Sequence, residues 1–184
     1  MTFSRSQQEA LLASARAAIE AELDQRALTP PSEAERERLS ERCGVFVTVR
    51  NSGRLRGCRG ILDAHGPLWE IVPEIARLSA FDDPRFAPYR PDELEGLELD
   101  ISLLHGRRVV EEPDRPGAIV LGRDGLLLTH HGHRGFLLPQ VATEHGYDLP
   151  TFLDRLCNKA GLPDGAWRDP GARIEAFEVE HFDG

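Results

Sequence analysis

Gly44-Val45-Phe46-Val47-Thr48-Val49-Arg50-Asn51-Ser52-Gly53-Arg54-Leu55-Arg56-Gly57-Cys58-Arg59-Gly60-Ile61-Leu62 carries the pattern of a β-hairpin around a cysteine. Val45, Val47 and Val49 alternate with Phe46 and Thr48, the period-two pattern of a strand. Asn51-Ser52-Gly53 supplies turn chemistry, and a second strand is expected from Arg54 to about Leu62. Alternation along it puts Arg56, Cys58 and Gly60 on one face, with Leu55, Gly57, Arg59 and Ile61 on the other. A thiol thus sits between two glycines, which admit close approach of a backbone or ligand. Neighbouring guanidinium groups favour its reactive thiolate form.

Outward from this hairpin the period changes. Residues 4–26 read as an amphipathic helix, with Ser4 and Gln7 in a capping-box pattern and Leu12, Ala15, Ile19 and Leu23 at helical spacing. Thr29-Pro30-Pro31-Ser32 breaks the chain, and the charged residues 33–42 predict a short solvated helix. Pro67 suits the first turn of a helix carrying Leu68, Ile71, Ile75 and Leu78, while Pro73 within it predicts a kink or restart. Asp82 to Pro88 is a stiff loop. Leu97, Leu99, Ile101 and Leu103 form a strand with one apolar face, and Val109-Val110 a further short strand.

Residues 119–121 and 126–129, joined through Arg123-Asp124-Gly125, are expected to pair as a hairpin. Residues 136–141 are expected to pair next, with Pro139 marking either an edge strand or a strand end. A helix over Phe152, Leu153 and Leu156 stops near Gly161, and residues 174–182 form a last strand. Hairpins with inserted helices predict an α+β fold with a mainly antiparallel sheet and flanking helices, in one compact unit over residues 1–184.

Composition narrows the function classes. Hydrophobic residues make up 40% and charged residues 29%, a globular rather than disordered balance. A net charge of −9 argues against a general nucleic-acid binder, which needs a basic footprint. No apolar run reaches the ~18 residues that span a membrane, and the N-terminal residues lack a signal-peptide pattern. Three cysteines, Cys43, Cys58 and Cys157, show no disulfide or zinc spacing, which together predicts a cytoplasmic protein with reduced thiols.

The candidate chemistry centres on Cys58 with Arg56. A catalytic cysteine needs a base within reach, and the one histidine nearby in sequence is His65, on a loop. Asp83 and Arg85 either present a carboxylate and a guanidinium at a cleft edge or bond each other in a turn. Asp100 and Ser102 project from the polar face of their strand, which water or a ligand must cover. His130, His131 and His133 suggest a metal, but strand alternation separates the first two. Exposed histidines at a hairpin end are therefore expected, with no metal and no cofactor.

Taken together, several ordered motifs resemble the AMMECR-domain family, in its prokaryotic branch, AmmeMemoRadiSam system protein A. They are Gly44-Val45-Phe46-Val47-Thr48, Leu55-Arg56-Gly57-Cys58, Ala80-Phe81-Asp82-Asp83-Pro84-Arg85-Phe86, Leu99-Asp100-Ile101-Ser102-Leu103-Leu104, Leu137-Leu138-Pro139-Gln140-Val141-Ala142, and Phe152-Leu153 with Cys157-Asn158-Lys159-Ala160-Gly161-Leu162. The resemblance implies two unequal subdomains and a hydrophilic groove beside Cys58. It also implies an accessory role alongside a Memo-like protein and a radical SAM protein. Arg56, Gly57, Gly60, Asp83, Arg85, Asp100, Ser102 and Gln140 are the expected binding residues, and Cys58 the candidate catalytic one. The groove would take a small polar ligand or a partner's modified residue; a thiol-dependent enzyme and a peptide-binding module are the alternatives. The family form is Leu-Arg-Gly-Cys-Ile-Gly; here Arg59 stands in place of the isoleucine, and Pro73 interrupts the family's helix.

Overall fold

The structure, a computed structural model, describes residues 2–114 and 117–184. Among these residues six strands form one sheet in the order β2-β1-β3-β6-β4-β5, comprising β1 (Gly44–Asn51), β2 (Arg54–Ile61), β3 (Leu97–Val109), β4 (Asp124–His130), β5 (His133–Leu137) and β6 (Arg173–Asp183). The β1–β2, β4–β5 and β4–β6 pairs are antiparallel. With its helices this is the α+β class expected from alternating hairpins and helical stretches. The chain divides into two compact units, residues 1–103 with 180–184 and residues 104–179.

The first unit begins with α1 (Arg5–Leu23), closed at its N-terminus by a reciprocal Ser4–Gln7 capping box. It is three residues shorter at its C-terminus than its apolar spacing predicts, ending before the Asp24-Gln25 turn. A second capping box, Ser32–Glu35, starts the short α2 (Glu33–Arg38). Helix α3 (Leu68–Phe81) is one unbroken helix despite Pro73, so the expected restart does not occur. Leu68, Ile71, Val72, Ile75 and Ala76 of α3 are buried against Val45, Val47 and Val49 of β1 and Leu11, Ala15 and Ile19 of α1. This apolar cluster holds one face of β1 and β2 under α3, leaving the other face to the polar residues.

In the second unit three expectations are corrected. Val109 belongs to the long β3 and not to a separate strand. Residues 119–120 form no strand and 121–123 are a turn closed by the Arg123 and Asp124 N–H groups on the Val120 carbonyl, and β4 pairs instead with β5 across His131-Gly132, both with positive φ. Residues 139–141 begin α4 (Pro139–Glu144), where Pro139 takes the first helical position that needs no N–H. Helix α5 (Leu149–Lys159), capped by Asp148, buries Phe152, Leu153, Leu156 and Cys157 in this unit's own core.

Candidate functional site

Ser52 and Gly53 have φ of 47° and 78°, a two-residue turn that pairs Asn51 with Arg54 and Arg50 with Leu55. The register then slips between Val49 and Arg50, so that Val49 faces Gly57 and Thr48 faces Cys58. Arg56 is the extra residue of a β-bulge. A one-residue slip exchanges the faces of every residue beyond it. Cys58 therefore shares a face with Thr48, opposite the valines that pack under α3.

This overturns the alternation that put Arg56 beside Cys58. The Arg56 guanidinium turns instead to Glu93, with Nε to Oε1 at 2.7 Å and Nη2 to Oε2 at 2.9 Å, and lies 5.6 Å from the Tyr89 ring centroid. Asn51 joins the same group, donating to the Tyr89 hydroxyl and the Glu93 carbonyl. The paired Arg56 holds the Glu93 carboxyl below its ordinary range, and burial raises the Tyr89 hydroxyl. Arg56 is thus the anchor of the bulge.

Gly57 is required by close approach. A Cβ there would collide with the Ser79 carbonyl oxygen of α3. The Ser79 hydroxyl bridges the two strands, accepting from the Arg59 N–H at 3.0 Å and lying 2.8 Å from the Val47 carbonyl oxygen. Arg59 pairs with Val47 on this helix-facing side yet is exposed, its long stem carrying the charge out to water. Gly60 faces Phe46, whose ring fills the space a Cβ would need.

Because β2 is an edge strand, its outward backbone groups need partners. The 82–88 loop supplies them at Cys58. Asp83 Oδ2 accepts the Cys58 N–H at 2.9 Å, and Arg85 Nη2 donates to the Cys58 carbonyl at 3.2 Å. Asp83, only 4% exposed, also receives Arg85 Nε at 3.0 Å and Nη2 at 2.7 Å. These Arg85 bonds, opposed by burial and helped by the Cys58 N–H, hold the Asp83 carboxyl far below the usual carboxylate range. The two readings of this loop merge: Asp83 and Arg85 bond each other, and together they clamp the cysteine backbone.

With its N–H and C=O turned outward, Cys58 forms a non-hydrogen-bonded pair with Thr48, the closer kind of cross-strand pair. The Thr48 hydroxyl donates to Cys58 Sγ at 3.3 Å. The thiol is half-buried. His65 lies 3.1 Å from Glu74 and is spoken for there. Asp100 pairs with Arg50 at 2.9 Å, and Ser102 bonds His181 at 3.2 Å, both in the first unit. Gln140 lies in the second unit, exposed in the first turn of α4.

Thr48, Ser79 and Glu93 join the candidate site unanticipated from the sequence. Only Thr48 left a signal, as the polar residue alternating with three valines. His130 is buried rather than exposed, at 5%, with Nε2 3.5 Å from Asp169. The turn at His131 brings its ring to 4.0 Å from that of His130, and His133 Nδ1 bonds the Ala160 carbonyl. Among the described residues no group of three His, Cys, Asp or Glu side chains is placed to hold a metal. Nor is any helix among them long and apolar enough to cross a membrane.

An antiparallel sheet with flanking helices, and a clamped thiol on its edge strand, defines the class of this protein structurally. The chain belongs to the AMMECR1 family, whose model matches residues 12–182. Protein TK0174 of Thermococcus kodakarensis is 40% identical over 182 residues, covering 95% of this chain and 89% of its own. A protein of Methanothermobacter thermautotrophicus is 43% identical over 145 residues, covering 77% of this chain and 76% of its own. The crystal structure of the uncharacterized protein PH0010 from Pyrococcus horikoshii superposes with a TM-score of 0.83 at 38% identity, covering 98% of this chain and 93% of that one.

Proposed function

We propose that the chain is a cytoplasmic accessory protein whose Cys58 surface binds a small polar ligand or a modified residue of a partner, working with a Memo-like protein and a radical SAM protein. The observation that carries this reading is the clamp. Asp83 and Arg85 fix the backbone of a half-buried thiol whose hydrogen-bond partner is the Thr48 hydroxyl, a group that is neither acid nor base near neutral pH. Such an arrangement presents a thiol in one place and favours recognition over turnover. The Arg50–Asp100 pair adds charge of both signs to the same first unit, as a polar ligand requires. A peptide added as a strand along β2 would find the Cys58 N–H and C=O already occupied, which weighs against that module.

The test is a binding titration of the purified chain against the Memo-like and radical SAM proteins of the same genome. Wild-type chain should bind one of them saturably, and Cys58→Tyr should weaken this at least about tenfold while Cys58→Ala, checked by circular dichroism, keeps the fold. Equal binding by wild type and Cys58→Tyr defeats the proposal. Iodoacetamide decides against the enzyme alternative in its simple form if Cys58 reacts at pH 7 no faster than a free cysteine.

A further inference from the structure

Arg85 is fixed more firmly than its exposure suggests. Its Nε and Nη2 fork onto Asp83 at 3.0 and 2.7 Å, and Nη2 also donates to the Cys58 carbonyl at 3.2 Å. The guanidinium lies 5.4 Å from the Phe86 ring centroid. Asp83 is buried whereas the Arg85 side chain is 57% exposed, so the fork points inward and Nη1 is left toward water. Among the described residues no hydrogen bond takes the Nη1 N–H groups. A guanidinium held on one edge by a carboxylate and open on the other is pre-organised to receive an anion.

The local charge favours an anion as well. The carboxylates of the 82–88 loop and around the hairpin already have their own arginines: Asp83 has Arg85, Asp82 has Arg77, Glu93 has Arg56 and Asp100 has Arg50. Arg59, next to Cys58 and exposed, is in no ion pair among the described residues. Its charge is thus uncompensated beside the clamp, on a chain whose net charge is −9. The Asp83 bonds raise the Arg85 guanidinium above its ordinary value, and a thiolate at Cys58 adds to the effect, which places the sulfur within reach of its field.

Given Cys58 as a recognition surface, on which this step rests, we infer that the ligand or partner residue bound there carries an anionic group, a carboxylate or a phosphate, that accepts hydrogen bonds from Nη1 of Arg85. Asp83 is the positioning residue. By taking Nε and Nη2 it keeps the guanidinium from swinging away and holds its open edge beside the cysteine.

The probes are inorganic phosphate and acetate, titrated separately into the full chain at pH 7 and constant ionic strength. Binding is followed by NMR at the Arg85 Nε–H and the amides of Cys58 and Arg85. Saturable shifts are expected there with at least one anion, and none at α5. Phosphate alone assigns a phosphorylated ligand, acetate alone a carboxylate, and both an anion of either kind. Arg85→Lys keeps a cation for Asp83 but offers no second edge, and should weaken binding at least about fivefold. Absence of saturable shifts with either anion in the wild type overturns the inference, a result that needs no variant to fold. So does equal binding by a folded Arg85→Lys. If Cys58→Tyr weakens partner binding while both anions fail, the recognition surface stands and only the anionic ligand is defeated.

Discussion

At the scale of single residues, Asp83 is a buried carboxylate on which four N–H groups converge: those of Cys58, the Arg85 backbone, and Nε and Nη2 of Arg85. Asp83→Asn keeps an acceptor for Cys58 but loses the charge that Arg85 grips. We expect it to lower unfolding stability at pH 7 by about 1–3 kcal/mol in urea titrations, since Arg85 stays partly in water. The Asp83 carboxyl is held below its unfolded value of about 3.9, so its contribution is complete above that pH and is lost as pH falls through the native value. The gap between wild type and Asp83→Asn should thus stay constant from pH 7 to about 5 and close below about 4. A gap that widens on acidification contradicts this account.

The bulge is the decisive feature at the scale of elements. Counting back from the Ser52-Gly53 turn without it would pair Val47 with Cys58 and turn the thiol under α3. Inserting Arg56 pairs Thr48 with Cys58 and turns the thiol to the other face. Glu93 holds the inserted residue through a two-point ion pair, both side chains mostly shielded from water. Glu93→Ala should therefore cost about 1–3 kcal/mol and speed hydrogen exchange of the β2 amides around Arg56, with α5 in the other unit unaffected. Protection that is unchanged along β2 would mean that the pair does not hold the bulge.

The same strand shows why part of the site was legible and part was not. Gly57 and Cys58 stand out from composition and spacing, and the turn residues announce the hairpin. The bulge leaves no local mark, because each residue from Arg54 to Ile61 is acceptable in an unbulged strand. The carboxylate that grips the inserted residue, Glu93, lies 37 residues from Arg56. Asp83 and Arg85 were visible as a pair, but their target on the Cys58 backbone was not, since backbone groups carry no sequence signature.

On the scale of the whole molecule, each unit has an apolar core of its own, around Ile71 and Val47 in one and Phe152 and Leu126 in the other. The net charge of −9 repels phosphate backbones at long range. We expect no saturable anisotropy change when a short fluorescent DNA duplex is titrated with the chain at about 50 mM salt; salt-sensitive binding in that titration would refute the exclusion.

The α+β class, the capped first helix, the β1–β2 hairpin and the place of Cys58 between two glycines follow from the residues alone, because apolar period, caps and turn residues act over a few neighbours. That the thiol faces Thr48, that Arg56 serves Glu93 and that residues 139–141 start a helix emerges in the folded chain. Those outcomes depend on partners distant in sequence, or on a register that one inserted residue reverses, and neither is written into the residues that show the result.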